Sequence, residues 1–193
     1  PGMYDVKMSY GDQTFTQKVE VKEDPRIEDA NTAEDYEAQL LLGLTIRNAI
    51  NEVHEKIGEI RSVKKQVSWL KDQSEITEIE QMADEIIKEL ISYEQTLMQT
   101  KNKSGQDPIR FAPKLDNQLV ETYGYVTGAD GYISGGREGR PNEAAQTRWK
   151  DLEEEWLELK VEIDKNIEEK VEQFNKTLQT KEKMGVKLKR PKS

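Results

Sequence analysis

The sequence predicts a mainly α protein: an elongated antiparallel helical bundle, with two helices of about 40 residues and two shorter ones, preceded by a β-hairpin from a truncated β-sandwich. Three observations lead there. Apolar residues return at steps of three and four along most of the chain, whereas the opening residues alternate apolar and polar. Glycine and proline concentrate at residues 105–113 and 124–141, between periodic stretches. Apolar residues make up only 34% against 35% charged, too few for a sphere but enough for a rod in which every helix keeps a wet face.

The elements follow in order. Strict alternation over Tyr4–Tyr10, the pair Gly11–Asp12, and a second run with Phe15, Val19 and Val21 on one face predict a hairpin within residues 1–26. A two-stranded sheet is marginal in water and leaves one apolar face to cover. The opening Pro1-Gly2 is a turn signal that normally follows something, so the expectation is that earlier sandwich strands precede it. The rival expectation is that the hairpin packs on the helices.

Residues 27–182 form the helical part. Asn31 or Thr32 caps a first helix running from about residue 32 to 72, with Glu34 and Asp35 in its first turn and a stripe of Ile46, Ile50, Val53, Ile57, Ile60, Val63, Val67 and Leu70. Ser74 is expected to cap the second helix, whose series Ile76, Ile79, Ala83, Ile86, Leu90, Tyr93, Leu97 steps strictly by three and four. Gly105, Asp107-Pro108 and Pro113 break the pattern. A short helix over about 115–126 follows, with Leu115, Leu119 and Tyr123 inward, then a glycine-rich loop over residues 124–140. Pro141-Asn142 opens the last helix, whose stripe runs from Ala145 through Trp149, Trp156 and Ile163 to Leu178. Two long helices flanking a layer split in two would bury every stripe.

Composition and motifs exclude several kinds of function. The formal charge is −9, and Lys181–Ser193 carry six cations against one Glu, so +5 there and −14 elsewhere. An acidic body repels nucleic acid and anionic lipid; the basic tail, residues 183–193, is read as a solvated end, with contact to an acidic partner as the other reading. Without cysteine there are no disulfides and no thiolate metal sites. No apolar run is long enough to span a membrane, and none reads as a signal peptide.

No catalytic, cofactor or metal residues are assigned. The single histidine, His54, sits one position from the apolar stripe with no second His or Cys to complete a zinc site. The acids Glu153-Glu154-Glu155 are helix-surface charges, and pairs such as Glu172 and Lys176 stabilise by tenths of a kcal/mol (about 0.3). The glycines of the loop lack phosphate-loop spacing. Asp130-Gly131 lacks the remaining ligands of a calcium loop. Tyr123, Tyr125, Tyr132, Arg137 and Arg140 nevertheless make this loop the one candidate ligand element, suited to carbohydrate stacking or an anion. Asn102-Lys103-Ser104 and Asn175-Lys176-Thr177 match the glycan-acceptor pattern.

Two passages resemble a known family. Pro1–Met8, Thr14–Gln17 and Val19–Arg26 resemble the "PGxYxVxL…G…yTqxxxVxxDPR" element that closes a β-sandwich in bacterial secreted sortilin-like, BNR-repeat β-propeller proteins. Asp107-Pro108-Ile109-Arg110 with Leu115–Leu119 resembles the "DPIRxxxKLNNKL" passage of their helical C-terminal region, while the glycine-rich insert looks longer than the family's turn. The resemblance implies a secreted, periplasmic or cell-surface location. It also implies a C-terminal, non-catalytic module whose partners are the upstream sandwich and propeller domains of the same protein, or another protein or a glycan. The alternatives are a carbohydrate- or surface-binding element using the Tyr/Arg loop and, third, an accessory region of a glycoside hydrolase whose active site lies upstream.

Overall fold

The computed structural model describes residues 1–25, 31–128, 138–181 and 185–186. The hairpin is present. Strand β1 (Gly2–Tyr10) pairs antiparallel with β2 (Gln13–Val21), with Tyr4 opposite Val19 and Met8 opposite Phe15. Gly11 takes φ 56° at the first loop position, a conformation that primed two-residue turns require and that glycine adopts without strain. Because opposed residues share a face, Tyr4, Val6, Met8 and Tyr10 lie beside Val21, Val19 and Phe15, and Asp5, Lys7, Lys18 and Glu20 lie on the reverse. Every residue of both strands is exposed, and among the described residues the strands contact only each other. The hairpin therefore does not pack on the helices.

Four α-helices follow: α1 (Ala33–Gln73), α2 (Thr77–Leu97), α3 (Leu115–Thr127) and α4 (Glu143–Lys181). Thr32 caps α1 with a reciprocal box, its hydroxyl accepting from the Asp35 amide while Asp35 accepts from the Thr32 amide at 2.9 Å. Ser74 does not cap α2. It ends α1, and its hydroxyl accepts from the Ile76 amide at 3.1 Å, so α2 begins at Thr77 with Ile76 as an N-cap lacking a side-chain bond. A three-residue connection leaves the serine two positions ahead of the N-cap, too early to reach the third amide of α2. Asn142 opens α4 by accepting from the Ala145 amide at 2.8 Å.

Cross-helix pairs give the directions. Lys71 meets Asp84 at 2.5 Å and Lys64 meets Glu94 at 2.7 Å, so α2 runs back along α1. His54 lies against Asp116 and Gln39 bonds the Val126 carbonyl at 2.8 Å, so α3 runs back along the N-terminal half of α1. Arg140 pairs with Asp35 and Lys160 with Glu52, so α4 runs parallel to α1 and antiparallel to the middle layer. The result is a rod, roughly 60 Å long, of two unbroken helices and a third line made of α2 and α3 end to end. Ile46, Ile60, Ile79, Leu97, Leu119, Leu152, Ile163, Phe174 and Leu178 fill its axis. A crevice between α2 and α4, lined by Leu90, Tyr93, Asn166 and Ile167, offers about 10 Å³, room for one water at most. No helix among the described residues is long and apolar enough to cross a membrane.

Candidate interaction surfaces

The glycine-rich loop leaves α3 and returns to α4 at the end of the rod where the hairpin also joins it. Tyr132 and Arg137 lie outside the described residues, as do most of the loop and nearly all of the basic tail. Tyr123 is half-buried against the core, near Gly43, where any Cβ would press on Thr127 at 3.0 Å. Tyr125 is 50% exposed on the last turn of α3 and presents its ring to solvent. Arg140 is engaged: its Nε donates to Asp35 Oδ1 at 2.7 Å. Of the five residues suited to a ligand, the described three are thus one packing residue, one free ring and one ion-paired cation.

The stem of the loop is tied down by polar contacts not expected from sequence. The Gly139 amide donates to Gln39, and the Asn31 side chain donates to the Glu138 carbonyl at 3.2 Å. Gly139 has φ 112°, and a Cβ there would overlap the Asn31 carboxamide, so only glycine fits. The Tyr36 hydroxyl stands between Glu23 at 3.3 Å and Glu138 at 3.4 Å. A hydrogen bond from Asn31 favours the Tyr36 phenolate, but burial and these two carboxylates outweigh it and raise its pKa above the ordinary phenol value. The Thr32 hydroxyl and amide, then Arg140, hold the Asp35 carboxyl down at about 2. These contacts fix where the hairpin and the loop leave the rod.

Two carboxylates are buried among the helices. Burial opposes the charged form of Glu94, yet Lys64 and Arg61, each at 2.7 Å, outweigh it and leave its pKa below the ordinary range. Asp116 is raised chiefly by burial, which the Asn117 amide and His54 only partly offset. His54 itself is 56% exposed and 3.9 Å from Asp116, too far for a hydrogen bond. Among the described residues no group of three or more His, Cys, Asp or Glu could hold a metal ion. Glu94 was detectable in principle, since it lies four residues after Leu90 and three before Leu97 on the seam. Nothing in the sequence marks Tyr36 or Glu138.

Trp149 and Trp156 are buried, and Trp156 Nε1 donates to Glu52 at 3.2 Å. Trp69 is 55% exposed. Of the two glycan-acceptor patterns, Asn102 is exposed, while the Asn175 side chain grips the Val186 backbone, donating to its carbonyl at 2.9 Å and accepting from its amide. That clamp docks Val186 onto the rod.

No family model, no curated protein and no solved structure matches the chain. The likeness to the propeller-associated region rests on the two passages quoted above.

Proposed function

We propose that the chain is a non-catalytic structural and interaction module in which a helical rod presents a β-hairpin as the closing strands of a β-sandwich supplied by a neighbouring segment. The observation that carries this reading is the hairpin's apolar face. Seven large side chains, Tyr4, Val6, Met8, Tyr10, Phe15, Val19 and Val21, share it at 42–78% exposure. A contiguous patch of that kind marks an interaction site. Two nine-residue strands offer a face of roughly 300 Å², at about 3.4 Å per residue and about 5 Å per strand. Face-to-face docking alone would bury too little for a stable interface, so a partner must also pair along the open strand edges, as further sandwich strands do. Within the resemblance stated above, those strands and the propellers belong to the same secreted protein.

The rod's role in this reading is positional. Its interior is filled by side chains and its buried carboxylates are held by cations or the backbone, which leaves little room for bound chemistry. Hydrogen exchange on the chain by itself tests the proposal. The β1 and β2 amides should exchange orders of magnitude faster than those of α1 and α4. Equal protection of strands and helices in a monomer would sink it. One observation favours a second reading as a glycan-binding end: the exposed Tyr125 ring stands at the base of the loop. Glycan-array binding lost in Tyr125→Ala would support that reading, and an array without hits would remove it.

A further inference from the structure

A second surface, independent of the hairpin, lies where α2 passes into α3. The connection is braced. Asp107 accepts from the Ser104 amide at 2.9 Å and hydroxyl at 3.0 Å, and Gln99 donates to the Ala112 carbonyl at 2.7 Å. Lys101 and Arg110 both sit over the Phe111 ring, at 5.8 and 5.7 Å from its centre. These contacts hold Ile109 outward at 90% exposure. Residues 98–114 carry four cations, Lys101, Lys103, Arg110 and Lys114, against Asp107, hence +3 on a chain whose total is −9. A lone exposed isoleucine is ordinary, but one held at the tip of a braced cationic loop has the form of an interface anchor.

The complementary surface is on α4. Leu157 and Val161, one helical turn apart, point away from the core at 54% and 69% exposure. Residues 150–172 around them hold ten acids and four lysines, a balance of −6. The two surfaces also share a level along the rod. Tyr93, near the end of α2, meets Glu162 and Asn166, and Gln118, near the start of α3, meets Arg148. The loop between them therefore passes α4 near Leu157 and Val161. Equal level is what a two-fold axis running along the rods needs if each loop is to reach the other's stripe.

We propose that two copies of the chain associate side by side, Ile109 of each seated on Leu157 and Val161 of the other and the basic loop facing the acidic stretch of α4. Sedimentation equilibrium across a concentration series should find a dimer that weakens as salt is added. Ile109→Asp should weaken it by about tenfold or more, while Phe15→Asp in the hairpin leaves it unchanged. Since the chain has no cysteine, an oxidised mixture of Ile109→Cys and Val161→Cys chains should yield a disulfide-linked pair. A monomer at all concentrations, a dimer indifferent to Ile109→Asp, or a mixture without the cross-link would each overturn the proposal.

Discussion

The hairpin and the rod are built on the same kind of pattern, one apolar face and one polar, yet the rod hides its face and the hairpin does not. Ile46 in α1 and Phe174 in α4 are fully buried, whereas Phe15 and Val6 in the strands are each 53% exposed. Geometry makes the difference. Three helix lines can turn their stripes to a common axis and close. Two strands form a ribbon whose apolar side has nothing within the ribbon to face. Amphipathic patterning thus predicts burial only where the element count lets the faces meet. Among the described residues the apolar face of the hairpin stays in water.

The largest test of that contrast sets two phenylalanines against each other. Phe174→Ala should cost about 3–5 kcal/mol in a urea titration, because it opens a cavity on the axis of the rod. Phe15→Ala should stay within about 0.5 kcal/mol, because its ring is already in water. Comparable losses at the two sites would mean that the hairpin face is covered in solution.

The rod is not uniformly apolar inside, and its two buried carboxylates should respond to pH in opposite directions. Glu94→Gln should cost about 1 kcal/mol at neutral pH, since Lys64 and Arg61 lose a charged partner. The folded pKa of Glu94 is lowered, so its contribution is present above the unfolded pKa and is lost as pH falls through the folded one. The deficit of the variant should therefore shrink on acidification. A deficit independent of pH would remove the ion pairs as its cause.

The smallest effect belongs to Asp116. Its folded pKa is raised, so the stability linked to its protonation is present below the unfolded pKa and is lost as pH rises through the folded one. Asp116→Asn keeps an oxygen for the Asn117 amide, which bonds Asp116 Oδ1 at 2.7 Å. It should gain up to about 1 kcal/mol at neutral pH and nothing in acid. Destabilisation at neutral pH would instead make His54 a real partner.

Much of this arrangement is legible in the sequence. The steps from Ile79 to Leu97 and from Trp149 to Leu178 name the buried residues of α2 and α4 almost one for one, because a 3.6-residue period leaves few alternatives. The split middle layer followed from matching lengths. Ser74 was misplaced because a cap residue is recognised by type, while its role depends on where the helix starts. The stem around Tyr36, Asn31 and Glu138 was not legible, since those residues lie about a hundred positions apart and no period joins them. Tyr123 carried two readings, an inward residue of the short helix and a ligand candidate beside the loop. It packs on the core inside α3, which runs to Thr127, so helical spacing was the better guide there than residue type.

The hand-over from α2 to α3 carries a mechanical consequence. At that height only α1 and α4 pass through without interruption, like two splints across a fracture, while the third line is carried by a connecting loop and the few hydrogen bonds that brace it. A bending load on the rod would concentrate there. The stiffness with which the far end of the molecule reports a pull on the hairpin is therefore set at the joint, not along the helices.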